Sequence, residues 1–208
     1  MFEVQYINDE ELNGSVEKKV IDEFNANVGD RDLVVVGDFG HGLITPALKD
    51  AIYNCGKFMA LNTQSNSANM GFNPVTKYKR ADYISIDEPE LRFASHSRYG
   101  DIEKIALDIK NRLEAPYLMV SRGPYGSALF TKENDKFETP ALSSRIIDRT
   151  GAGDALFSVT APCLCKSVHP EVVCFIANCV GAMAVETVCN REPIDPTILY
   201  KFITYILK

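Results

Sequence analysis

Asp148-Arg149-Thr150-Gly151-Ala152-Gly153-Asp154-Ala155-Leu156-Phe157 joins a small, glycine-rich turn directly to an apolar, helix-like segment. Gly151, Ala152 and Gly153 carry almost no side chain, so their N–H groups can approach a bound phosphate closely. The helix behind them adds the positive end of its dipole. Asp154 stands at the mouth of that helix. A carboxylate beside an anion site is repelled by the anion unless it serves the chemistry there. Taking the proton of a hydroxyl that attacks phosphorus is such a service. The competing reading is a glycine-rich helix start capped by an acid.

Around this turn, apolar runs alternate with amphipathic stretches. Leu33-Val34-Val35-Val36, Phe58-Met59-Ala60-Leu61, Tyr83-Ile84-Ser85-Ile86 and Tyr117-Leu118-Met119-Val120 read as strands, the first of them covered on both faces. Helices are expected from Thr45-Pro46 to Asn54, from Pro89 to Ala94 and from Asp101 to Leu113. Ser127 to Thr131 and Phe137 to Pro140 read as a hairpin around Glu133-Asn134-Asp135. After Asp154 the chain turns helical. Pro162 should bend or end that helix, Pro170 opens another to about Cys189, and Asp195-Pro196 opens the last. Upstream, residues 1–30 read as a lead-in: a short strand at Phe2, Val4 and Tyr6, then a helix capped by Ser15 and running to Val28.

Strands alternating with helices predict an α/β domain with a mostly parallel sheet. Ligands in such sheets bind beyond the carboxyl ends of the strands. The segments that follow the four strands are Gly37-Asp38-Phe39-Gly40-His41-Gly42, Asn62-Thr63-Gln64, Asp87-Glu88-Pro89-Glu90 and Ser121-Arg122-Gly123-Pro124-Tyr125-Gly126. All are polar or glycine-rich and share one rim, which predicts a site there rather than four ordinary loops.

Within the rim, Asp87 and Glu90 lie at i, i+3 spacing and can face one way. Two carboxylates at a strand end suit a hydrated Mg²⁺, and equally suit the N-terminus of a helix. The stretch from Asn62 to Tyr78 carries Asn62, Gln64, Asn66, Asn69, Asn73 and Lys77. Its amides can read sugar hydroxyls or simply build turns. Asn178 lies with Gly181, Ala182 and Ala184 on an apolar helix, where small residues admit either a flat ring or a close helix neighbour.

The stretch from Asp148 to Phe157 resembles the second signature of the ribokinase-like, or PfkB, carbohydrate kinases, D-T-x-G-A-G-D-x-F. Arg149 replaces the more usual threonine, at a position not expected to touch substrate. The resemblance runs over roughly residues 30 to 208 and looks most like the heptose-phosphate kinase domain of bifunctional ADP-heptose synthases. It implies a three-layer ribokinase-like sandwich with Asp154 as catalytic base and Gly151, Ala152 and Gly153 as anion hole. It implies a Mg²⁺ and phosphate motif at Asp87 and Glu90, with Asp87 standing where the family has Asn. Ser121, Gly123 and Gly126 match a T-x-G-x-x-G loop bordering ATP, and Asn178 falls in the adenine segment. Asp148 and Thr150 correspond to a monovalent-cation site, implying K⁺. Asp38 belongs to a D-Y-x-K-G element, here with His41 for the lysine, and is read with Asn62 as substrate-binding.

Nothing before Leu33 matches the family's first strands, its β-lid or its G-G-x-x-x-N sugar motif. The 208 residues therefore read as one partial kinase domain, either a piece of a longer protein or a natural truncation. Alone, the chain is expected to lack the full sugar site, and to cover its truncated edge in a homo-oligomer or against the missing N-terminal half.

Composition narrows the classes. A hydrophobic content of 46% with 24% charged residues describes an ordinary globular protein. A net charge of −6 argues against nucleic acid or an anionic membrane as the main partner. The N-terminus carries no signal pattern. The six cysteines form no CxxC pair and read as reduced thiols of a cytoplasmic protein, and three scattered histidines suggest no zinc site. The expected function is an ATP- and Mg²⁺-dependent phosphotransferase acting on a hydroxyl of a sugar or sugar phosphate. The alternatives are a non-catalytic nucleotide-binding or assembly module, and a nucleoside or vitamin kinase.

Overall fold

The computed structural model describes residues 10–66, 69–143, 145–188 and 191–208. The expected strand at Phe2 to Tyr6 lies outside them. Along the chain run α1 (Gly14–Val28), β1 (Leu33–Asp38), α2 (Pro46–Asn54), β2 (Phe58–Thr63), β3 (Tyr83–Asp87), α3 (Glu88–Ser95), α4 (Ile102–Arg112), β4 (Tyr117–Ser121), β5 (Ser127–Phe130), β6 (Lys136–Thr139), α5 (Ala152–Cys165), α6 (Pro170–Ala184) and α7 (Pro196–Ile206). The strands of the described residues form one six-stranded sheet in sequence order. β1 to β4 are parallel, and β5 and β6 add an antiparallel hairpin at the far edge.

Three layers follow from the pleat, which sends successive side chains to opposite faces. Leu61, Ile84, Ile86, Leu118 and Val120 pack against α1 to α4, through residues such as Ile52, Leu91 and Ile109. Ala60, Tyr83, Met119 and Leu129 face α5 and α6, meeting Leu156, Phe157, Val173 and Ala177. The only polar group of Tyr83 at the centre of that face is satisfied, its hydroxyl lying 2.8 Å from Thr160 Oγ1. Leu199 of α7 closes a smaller cluster with Cys179 and Val180 of α6. No helix among the described residues is long and apolar enough to cross a membrane.

Local chemistry placed most helix starts where expected. Thr45, Asp101 and Asp195 each cap their helix with a side-chain oxygen. α1 differs: its cap is Asn13, which accepts from Val16 N at 3.2 Å, while Ser15 only donates its hydroxyl to Asn13. β1 is not covered on both faces. Among the described residues it is an edge strand, and Val35 remains 49% exposed on the side where α5 and α6 lie. α5 does not end at Pro162 but runs three residues further, to Cys165. A proline so near the C-terminus forfeits one hydrogen bond, and Lys166 N still closes on Pro162 O at 3.0 Å. α6 stops at Ala184, short of Cys189, where Val185 N turns back to Gly181 O.

One departure from a regular sheet matters for the site. The β2–β3 ladder is confined to Ala60 opposite Tyr83 and Leu61 opposite Ile84. Beyond it the side chain of Asn62 takes over, donating from Nδ2 to Ser85 O at 2.8 Å. The two carboxyl ends part there, and the loops after β2 and β3 face each other across the gap.

Candidate active site

α5 begins on Gly151, whose φ of 74° is left-handed, a conformation glycine adopts without penalty. No side chain caps this helix. Ala152 N reaches Arg149 O at 3.3 Å, whereas the first-turn N–H groups of Gly153 and Asp154 have no main-chain partner among the described residues. A Cβ placed on Gly153 would meet nothing within 4 Å. Unpaired donors, a dipole and open space together make an anion-binding surface. Asp154, in that same first turn, accepts a hydrogen bond from Gln64 Nε2 on Oδ1 at 2.5 Å. Burial raises its carboxyl pKa, and the Gln64 hydrogen bond opposes the rise without cancelling it.

Across the β2–β3 gap, Asp87 is the N-cap of α3 and accepts from Glu90 N at 2.7 Å. Glu90 in turn accepts Ser65 N at 2.7 Å. Burial pushes Glu90 up to about 7, with the charges of Asp87 and then Asp154 adding to the rise. Burial also raises Asp87. These carboxylates thus repel one another in a half-buried setting, which a cation relieves. Among the described residues no three acidic, histidine or cysteine side chains lie close enough to hold one metal ion directly. The arrangement fits an ion that keeps most of its waters and touches few carboxylates, as Mg²⁺ does.

The segment after β2 is tied down along its length. Asn69 Nδ2 donates to Phe39 O at 2.6 Å, and Asn73 Nδ2 donates to Asp38 O at 2.7 Å and Gln64 O at 3.0 Å. Behind it, the buried Asp38 carboxylate accepts from Gly40 N at 2.9 Å and Tyr78 hydroxyl at 2.5 Å, and pairs with Lys77 Nζ at 2.7 Å. Burial acts to raise Asp38, but the bonds from Lys77, Tyr78 and Gly40 outweigh it and hold the carboxyl below its usual range. His41 Nε2 lies 3.4 Å from the Asn66 amide.

On the other side of α5 opens a cavity of about 1250 Å³. Its wall includes Asp87, Ser121, Gly123, Gly126, Gly153 and Asn178. Gly181 and Ala182 leave room along α6. Asn178 is fixed by donating to Ser127 Oγ at 2.6 Å and Cys174 O at 2.9 Å.

The sequence profile of the pfkB family carbohydrate kinases matches residues 5–197. The chain belongs to the pfkB family. Relatives of this pfkB chain include the bifunctional protein HldE of Citrifermentans bemidjiense, 28% identical over 184 residues that cover 85% of this chain and 37% of that protein. HldE of Campylobacter jejuni is 27% identical over 177 residues, covering 83% and 37%. Phosphofructokinase-2 from Escherichia coli in complex with potassium superposes with a TM-score of 0.78 at 14% identity, covering 95% of this chain and 64% of that one. Ribokinase from Thermotoga maritima gives 0.68 at 18%, covering 90% and 61%. The fold is that of the ribokinase-like sugar kinases, and the pfkB chain spans 37% of the length of these HldE relatives.

In this pfkB chain the structure brings Asp154, the Gly151–Gly153 turn and the Asp87–Glu90 pair to one place, and sets Ser121, Gly123, Gly126 and Asn178 around the cavity. Asp148 and Thr150 form a separate turn at the end of α6. Asp148 Oδ1 accepts Thr150 N at 3.0 Å and Thr150 Oγ1 at 2.8 Å, and Asp148 N donates to Val185 O at 3.1 Å. The Asp38 carboxylate is engaged by the loop it anchors. Asn62 bridges β2 and β3, leaving its Oδ1 buried without a hydrogen bond. Two residues named in the sequence without a site role stand at the site. Gln64, named from the sequence only among the rim residues and the loop amides, touches Asp154 instead of being left for a sugar hydroxyl. Arg149, expected to stand apart from substrate, lies on the cavity wall.

Proposed function

We propose that this chain is the nucleotide-binding and base-bearing part of an ATP-dependent kinase that phosphorylates a hydroxyl of a sugar or sugar phosphate. The observation that carries this reading is the start of α5, where an ionisable carboxylate, Asp154, shares one helical turn with unpaired N–H groups beside a cavity large enough for a nucleotide. Asp154 takes the proton of the acceptor hydroxyl. The N–H groups at the end of the Gly151–Gly153 turn, those of Gly153 and Asp154, face the charge that develops on the transferred group. Ser121, Gly123 and Gly126 border the phosphates and ribose of ATP, and Asn178 with Gly181 lines the base. Glu90 and Asp87 hold the waters of Mg²⁺, which when bound neutralises phosphate charge. Thr150, its hydroxyl proton directed to Asp148, keeps lone pairs for a K⁺ ion. Asp38 supports the acceptor side by fixing the loop, and Asn62 does so by tying the end of β2 to Ser85 O. The similarity to HldE proteins favours a sugar phosphate as acceptor.

We read the 208 residues as one partial kinase domain, acting in the cytoplasm. The β1 edge is where further strands or a second copy would pair. The test is calorimetric. The chain should bind Mg-ADP at one site, and Gly123→Val, which places a bulky side chain on the cavity wall at a left-handed glycine, should weaken binding at least tenfold. Equal affinity in that variant would remove the cavity as the nucleotide site.

A further inference from the structure

Gln64 and Asp154 are 90 positions apart in sequence and meet through a single contact, Nε2 to Oδ1 at 2.5 Å. Three features make this contact more than a chance surface pair. First, the backbone of Gln64 is fixed at both ends: its N–H donates to Asp38 O at 2.9 Å and its carbonyl accepts from Asn73 at 3.0 Å. The amide is therefore presented from a rigid base, and the loop that rigidifies it is itself held by the buried Asp38, Lys77 and Tyr78 group. Second, the next residue, Ser65, uses its N–H to hold Glu90. One dipeptide thus grips a carboxylate of α5 and a carboxylate of α3. Third, Oδ2 of Asp154 has no hydrogen-bond partner among the described residues, so the second oxygen stays available.

The choice of residue type agrees with such a role. A lysine or arginine at position 64 would hold Asp154 more strongly, but its positive charge would stabilise the carboxylate and weaken it as a base. A neutral amide fixes one oxygen while leaving the other basic. A base oriented by a third group is a recurring arrangement in proton-transfer sites.

We propose that Gln64 is a positioning residue: it clamps Oδ1 of Asp154 so that Oδ2 faces the acceptor hydroxyl, and it transmits to the base the fixed geometry of the Asn62–Tyr78 loop. The inference rests on the assignment of Asp154 as the base. Two substitutions separate shape from chemistry. Gln64→Glu keeps the size and removes the donor, and Gln64→Leu removes both polar atoms.

In the full-length protein, acceptor-dependent ADP release should fall about 10- to 100-fold in kcat for both variants, the scale of one misplaced group or one lost hydrogen bond to a charged group. KM for Mg-ATP should stay within about twofold, and the circular-dichroism melting curve should be unchanged. Independently of any acceptor, the side-chain amide signals of Gln64 in the NMR spectrum, identified by their loss in Gln64→Leu, should move on Asp154→Ala. Amide signals indifferent to Asp154→Ala, or wild-type kcat in Gln64→Leu beside an inactive Asp154→Asn, would overturn the positioning role while leaving Asp154 as base. Full turnover in Asp154→Asn would remove the base itself, and the role of Gln64 with it.

Discussion

Asp154→Asn should lower acceptor-dependent turnover of the full-length protein by about 10²- to 10⁴-fold while leaving Mg-ATP affinity within a few fold. The substitution is nearly isosteric. Asn keeps an oxygen that can accept the bond from Gln64, so the loop after β2 has no reason to move. The first-turn N–H groups of α5 belong to the main chain and are untouched. What the variant lacks is a group able to accept a proton from the attacking hydroxyl, so the loss reports on chemistry rather than on shape or nucleotide binding. A coupled ADP-release assay at saturating nucleotide measures it. Wild-type kcat would take Asp154 out of the reaction.

Gly126→Ala should produce the largest loss of stability among single methyl additions at the site. Gly126 has φ 80° and ψ −137°, a region closed to residues with a Cβ. A Cβ there would sit 2.0 Å from Thr139 O and 2.6 Å from Pro140 C, both main-chain atoms of the β6 end. The backbone cannot rotate away cheaply, because Gly126 N donates to Gly123 O and Gly126 O accepts from Arg122 N at 2.8 Å. Strain and clash together should cost about 3 kcal/mol or more, which for a chain of this size lowers Tm by roughly 6–12 °C. Gly153→Ala is the contrast. Its Cβ meets nothing, so Tm should hold while the added methyl intrudes on the anion surface and turnover drops. Thermal melts of the two variants side by side check both halves. A Gly126→Ala melt within a degree or two of wild type would mean that the turn is not closed as described.

The two glycines also mark what the sequence could and could not show. Signals that act over one helical turn were legible: the glycine turn before Asp154, the caps at Thr45, Asp101 and Asp195, and the apolar runs that became β2, β3 and β4. Signals that depend on what lies across space were not. Leu33 to Val36 is continuously apolar, yet the coverage of Val35 depends on whether a neighbour stands beyond β1, which no local pattern records. The asparagines at 69 and 73 suit sugar hydroxyls as well as turns, and only the fold shows them donating to the main chain of Asp38, Phe39 and Gln64. Asp38, read as a substrate group, is buried against a partly exposed lysine and a buried tyrosine, because Lys77 and Tyr78 return to it from a distant loop end. Gln64 was counted among the loop amides, but its pairing with Asp154 was not legible for the same reason, since that partner is on α5.

The role proposed for this pfkB chain is the transfer of phosphoryl from ATP to a sugar hydroxyl. The most direct measurement is ³¹P NMR of the full-length protein with Mg-ATP and a panel of sugars and sugar phosphates, a heptose phosphate among them. A new phosphate monoester signal should grow with ADP, require one acceptor class and disappear in Asp154→Asn. ADP accompanied only by inorganic phosphate, whatever sugar is present, would contradict it.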